Sequence, residues 1–173
     1  MISTKVEKAI NDQINAEFYS SYLYLSMSAY FHGLNLEGFA NWMRVQYQEE
    51  TFHALKLYDY LAERGGKIHL QPIAEPPTDW KSLVAVFEET LEHERKVTGL
   101  IGNLTDLAIN ERDHATHTML QWFVNEQVEE EASAERILVE LKRIGDNQSA
   151  LFMMDREMVA RVFTPPAAAG AAT

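Results

Sequence analysis

The stretch RGGKIHLQPIAEPPT, residues 64–78, decides how this chain folds. Gly65-Gly66 ends the helical run before it, and Pro72, Pro76 and Pro77 keep the next dozen residues from becoming helical. From Lys67 to Thr78 the sequence shows no sustained period and reads as an extended connection. At ~3.3 Å per residue such a connection reaches roughly 40 Å, the length of a long helix at ~1.5 Å per residue. It therefore spans a whole bundle, whereas the other breaks in the chain are short.

On either side of this connection lie two pairs of helical segments. Residues 3–31 contain no Gly or Pro and form one long helix, and the break His32-Gly33-Leu34-Asn35 leads into a second over 37–64. A third is expected to start at Asp79 as N-cap and run to 109. After Asn110-Glu111-Arg112, a fourth covers 113–144 and ends at Gly145. A shorter amphipathic segment comes next over 148–162, then a low-complexity tail over 164–173. Short breaks make their neighbours antiparallel, so the fold class expected is all-α, with two antiparallel hairpins joined by one long crossover and a short fifth helix. This is the ferritin-like form of the four-helix bundle rather than the simple up-down form. Residues 1–163 make one domain, as 173 residues allow.

Composition narrows the function. A formal net charge of −11 without a basic cluster argues against nucleic acid and favours cations as guests. No apolar run is long enough to cross a bilayer. The N-terminus becomes charged and amphipathic without a secretory apolar stretch, which gives a cytoplasmic expectation. With Cys at 0, thiolate sites are excluded, and any metal is held by carboxylates, imidazoles or neutral oxygens, donors that suit iron or manganese.

Each apolar stripe is interrupted by an acid near the middle of its helix. Glu17 stands among Ile10, Ile14, Tyr24 and Phe31. Glu50 and His53, one helical turn apart, share a face with Phe39, Met43, Leu57 and Leu61. Glu94 lies among Leu91, Val97 and Ile101, and Gln127 and Glu130 among Phe123, Ala134 and Ile137. One mid-helix Glu usually turns out to solvent. Four at the same level of a bundle would meet, repel, and cost several kcal/mol each to desolvate unless cations neutralise them. A pair of divalent ions answers that, with Glu50 placed to bridge them at ~3.5–4 Å.

Glu17, Tyr24, Glu50-Thr51-Phe52-His53, Glu94 and Gln127-Val128-Glu129-Glu130, in this order on four long helices, closely resemble the non-haem bacterial ferritins. The resemblance covers residues 3–162. It implies that Glu17, Glu50 and His53 hold one iron of a ferroxidase centre and Glu50, Glu94 and Glu130 the other. Gln127 would be a hydrogen-bonding neighbour and Tyr24 a nearby phenol. Glu49, Glu126, Glu129 and Glu130 match the ligands of a third iron position. The resemblance further implies oxidation of Fe²⁺ by O₂ or H₂O₂ and a ferric mineral inside a homo-oligomeric shell of twenty-four subunits.

Two departures from relatives bear on cofactors. Haem-binding relatives repeat Glu-x-x-His on the fourth helix, where this chain has Gln127-x-x-Glu130, and they carry a haem-ligating Met that is absent between Glu49 and Leu57. No haem is expected. The start of the fourth helix, Asp113, His114 and His117 followed by Met119 and Leu120, differs from the acidic three-fold pores of animal-type ferritins. His32, His69 and His93 are expected at the surface. A rubrerythrin-like di-iron peroxidase is the nearest alternative, but it would bring more His and usually a Cys-rich iron domain. The DNA-protecting mini-ferritins lack the fifth helix. A metal-free helical interaction module would leave the core acids unexplained.

Overall fold

The computed structural model describes residues 2–165. Its five helices are α1 (Thr4–Gly33), α2 (Glu37–Glu63), α3 (Leu83–Asn110), α4 (His114–Ile144) and α5 (Gln148–Met158), with no strand among the described residues. No helix there is long and apolar enough to cross a membrane. α1 packs on α2 and α3 on α4, α1 also meets α3, and α5 lies against α2 and α4. Residues 64–82 make the one long crossover between the hairpins.

Local chemistry sets most of the boundaries. Ser3, Ser82, Asp113 and Asn147 each accept a hydrogen bond from a backbone N–H three residues on, filling an orphan donor of the first turn. At the end of α2, Gly65 takes φ +68°, where a side chain would be strained.

Two helix boundaries differ from the sequence expectation. α3 starts at Leu83, capped by Ser82 rather than Asp79. The residues before it are tied into the crossover: Tyr30 donates its O–H to the Trp80 carbonyl at 3.0 Å, and Trp80 Nε1 donates to Glu89 at 2.6 Å. α5 ends at Met158 rather than 162, because Asn41 draws the carbonyls of Met158, Val159 and Arg161 onto α2. The low-complexity tail expected over 164–173 lies outside the described residues from 166 onward.

The apolar interior falls into two clusters. One holds Leu23, Met27, Phe31, Phe39, Met43, Phe87, Leu91, Ala134, Leu141 and Met154, and the other Ile10, Ile14, Leu57, Leu61, Val97, Ile101, Leu120 and Phe123. Along every long helix the mid-helix acid falls between the members of the two clusters. The four acids thus occupy one polar layer across the bundle, closed above and below by hydrocarbon.

Candidate metal centre

Glu17, Glu50, Glu94 and Glu130 are each at most 6% exposed, and His53 is 3% exposed. Helical spacing aims Glu50 and His53 the same way from α2, with His53 Nδ1 3.3 Å from Glu50 Oε2. Ligand atoms of Glu17, Glu50 and His53 all lie within 4.8 Å of one another, as do those of His53, Glu126 and Glu130. His53 belongs to both groups and joins them.

Glutamines and one phenol hold the carboxylates in place. Gln13 Nε2 donates to Glu17 Oε1 at 2.8 Å, and Gln46 Nε2 donates to Glu130 Oε2 at 2.8 Å. Tyr24 donates its O–H to Glu94 Oε1. Gln127 Nε2 donates to the Glu94 backbone carbonyl at 3.2 Å and to Glu94 Oε2 at 3.3 Å. Glu17 Oε2 is the one buried side-chain N or O atom among the described residues with no hydrogen-bond partner.

Electrostatics shows why such a layer needs a guest. Burial, then the charges of Glu94, Glu17 and Glu130, pushes the Glu50 carboxyl well above the usual range. Burial and Glu130 push Glu94 up to about 8, and burial raises Glu17 against the pull of His53. Tyr24 is also raised well above its ordinary value, first by burial and then by Glu94. Acids held this way are protonated when alone and ionise readily when a cation arrives. An unpartnered buried oxygen, a ring of carboxylates and a single imidazole fit a borderline-to-hard divalent ion such as Fe²⁺.

The remaining candidates are arranged differently. Glu126 is half-buried and Glu129 exposed. Glu49 is pushed up to about 7 by burial and by Glu130 and Glu126, against the opposing charge of Arg161, whose Nη2 donates to Glu49 Oε2 at 2.6 Å. His32 and His69 are exposed, but His93 is not. It is 9% exposed, with Nε2 2.8 Å from Ser20 Oγ, and burial and Lys96 hold its pKa down at about 4. The expected surface position for His93 is therefore corrected. One position before Glu94, the His93 ring turns toward Ser20, Tyr19 and Tyr24 of α1 rather than out to solvent.

Sequence reasoning does not single out Gln13, Gln46 or Arg161. Gln13 and Gln46 stand four residues before Glu17 and Glu50, a spacing that puts an amide on the same helical face as a buried acid, and that is a usable signal. Arg161 lies beyond α5, and nothing local in the sequence links it to α2.

The ferritin-like domain family matches residues 7–144. The chain is 48% identical over 158 residues to a bacterial non-heme ferritin of Bacteroides fragilis, covering 91% of this chain and 98% of the relative. It is 39% identical over 163 residues to one of Staphylococcus haemolyticus, covering 94% and 98%. Among solved structures, an engineered closed form of the Archaeoglobus fulgidus ferritin superposes with TM-score 0.94 at 52% identity, covering 95% of this chain and 100% of that one. The open-pore ferritin of the same archaeon gives TM-score 0.92 at 51% identity, covering 94% and 100%. With its bundle, its acid layer and these likenesses together, the chain belongs to the ferritin family.

Proposed function

We propose that this protein stores iron, oxidising Fe²⁺ at the acid layer and keeping the Fe³⁺ as a mineral inside a shell of identical subunits. The observation that carries the reading is the buried group of Glu17, Glu50 and His53, with Glu17 Oε2 unpartnered beside it. Fe²⁺ is the substrate. Glu17, Glu50 and His53 receive one ion and Glu50, Glu94 and Glu130 the other, so Glu50 bridges. Glu49, Glu126, Glu129 and Glu130 receive a third on its way out.

The chemistry asked of the chain is modest. Each of two Fe²⁺ gives up one electron, and the two electrons with two protons convert O₂ to H₂O₂, or H₂O₂ to two waters. Ionised carboxylates favour Fe³⁺ over Fe²⁺ because they neutralise the extra charge, while the two apolar clusters keep bulk water from the layer. Tyr24 fixes Glu94 through its O–H, and Gln127 steadies the same carboxylate from α4. Product Fe³⁺ leaves toward the third position, and the protein is ready for two more Fe²⁺.

Assembly into a homo-oligomer is supported by apolar side chains left on the surface: Phe152, Met153, Val159 and Val162 around α5, and Val124, Val128 and Val139 on α4. A shell of twenty-four such subunits, each with net charge −11, would draw cations toward itself. The proposed setting is the cytoplasm, with no haem.

Stopped-flow absorbance after mixing Fe²⁺ with aerobic apo-protein tests this reading against a Glu50→Ala/His53→Ala double variant. A fast ferric signal present in the wild type and absent from the variant supports it. No fast phase in the wild type overturns it.

A further inference from the structure

Past the end of α5 the chain does not leave the bundle. Residues 159–163 turn back along α2 and are pinned to it at successive turns. Asn41 Nδ2 donates to the carbonyls of Met158 at 3.1 Å, Val159 at 3.3 Å and Arg161 at 2.9 Å. The Phe163 ring stands 6.1 Å from that of Phe52. Between these two anchors the Arg161 guanidinium lies over the Trp42 ring, 4.5 Å from its centroid, and Nη1 donates to the Trp42 carbonyl at 3.3 Å.

The tip of that guanidinium reaches the edge of the acid layer. Nη2 donates to Glu49 Oε2 at 2.6 Å and also to Gln46 Oε1. Gln46 in turn donates its amide to Glu130 Oε2 at 2.8 Å. Arg161 is thus hydrogen-bonded to Glu49 and, one glutamine away, to Glu130. Both acids belong to the proposed third position, and the inference rests on that reading.

A fixed cation on a carboxylate oxygen and a metal ion at the same oxygen exclude each other. They compete for the same lone pairs, and at the other oxygen of Glu49 a metal ion would still stand within ~4 Å of the guanidinium, where two positive charges repel even though the pair is partly open to solvent. We infer that Arg161 is a built-in counter-cation for the third position, and that the strap carrying it is a latch which a third metal ion must displace before Glu49 can bind it. In the closed state Arg161 balances the charge of Glu49 while the inner pair alone is filled. In the open state Glu49 is freed for the third ion, Gln46 loses its contact with the guanidinium, and the strap loosens from α2. The latch makes filling of the third position cost the release of a chain segment, and so ranks the three positions in order of loading.

The test uses the assembled, full-length apo-protein and Zn²⁺, which binds such oxygens without redox chemistry. Calorimetric titration counts ions per chain, and hydrogen exchange monitors the strap, where the amides of Ala160 and Arg161 bond to the carbonyls of Glu157 and Met158. In wild type, exchange at Ala160 and Arg161 should stay slow while two ions bind and rise when the third does. Arg161→Gln should bind the third ion about 10-fold more tightly, the worth of one charged hydrogen bond. Arg161→Lys, which keeps the charge, should fall between. Asn41→Ala, which frees the strap without touching a ligand or a charge, should shift the third affinity in the same direction by less.

An unchanged or weaker third affinity in Arg161→Gln overturns the latch, and so does a strap whose exchange ignores the third ion. If only two ions bind in every protein, the third position and the latch both fail, while the paired site stands. If none binds, the proposed function itself has failed.

Discussion

Gln13 donates to one oxygen of Glu17 and leaves the other with no partner, in a place where water does not reach. The amide fixes the carboxylate's rotation, and a Glu17 oxygen lies within 4.8 Å of ligand atoms of Glu50 and His53. Gln13→Leu fills similar space without the donor. It should lower the affinity of the Glu17–Glu50–His53 group for a divalent ion by about 10-fold or more, as loss of a ligand's orienting partner does. Zn²⁺ titration of apo-protein is the check, and an unchanged first dissociation constant would show that Glu17 needs no such support.

Stability of the metal-free protein should fall as pH rises from about 5 to about 8. The Glu94 carboxyl sits at about 8 in the folded chain and near 4.3 when unfolded. Between those values the folded state holds the extra proton, so unfolding releases it and stability drops with pH. The slope is at most about 1.4 kcal/mol per pH unit for each such group. Glu50 and Glu17, raised in the same direction, add to it. Glu94→Gln should flatten the slope in thermal melts. Saturating Zn²⁺ should reverse it, since bound metal holds the carboxylates ionised and expels their protons. A metal-free protein that gains stability over this pH range would contradict the buried-acid account.

Tyr24 and Glu94 make a similar pair on the far side of the layer, with the phenol O–H held on Oε1. Tyr24→Phe keeps the ring packed against His93 but removes the donor. Two divalent ions should still bind, while the fast ferric phase slows by about 10-fold because Glu94 is then held by Gln127 alone. Equal rates in stopped flow would reduce Tyr24 to a packing residue.

How much of this is legible in the sequence depends on the range of the signal. Helices, the two hairpins and the crossover come from Gly65-Gly66, three prolines and long Gly-free runs, all local. The acid layer is visible because 3.6-residue periodicity puts Glu17, Glu50, His53, Glu94 and Glu130 on apolar faces. The start of α3 is not, because Asp79 and Ser82 are both good caps, and the choice between them is made by Tyr30 and Glu89 gripping Trp80, with Tyr30 remote in sequence. His93 escapes for a similar reason, since only the packing of α1 on α3 shows that Ser20 waits for it. Arg161 meeting Glu49 is a contact across 112 positions, beyond any periodicity.

The start of α2 is likewise controlled from far along the chain. Its N-cap position is Leu36, which has no side chain able to accept a hydrogen bond. The role falls to Asp155 on α5, whose Oδ1 accepts from the N–H groups of Gly38 at 2.8 Å and Phe39 at 3.1 Å, placing a negative charge at the positive end of the helix. For the carboxylate to come so near, the backbones must nearly touch: a Cβ on Gly38 would sit 1.6 Å from the Asp155 carbonyl oxygen. Asp155→Ala should therefore cost about 1–2 kcal/mol, the worth of a lost cap. Gly38→Ala, which cannot be accommodated without moving α5, should cost about 3 kcal/mol. Because α5 carries the strap, Gly38→Ala should also speed hydrogen exchange over 159–163, and denaturant midpoints with exchange rates on the two variants measure both effects. A Gly38→Ala variant as stable as wild type, with a protected strap, would mean that α5 is not seated on α2 as described.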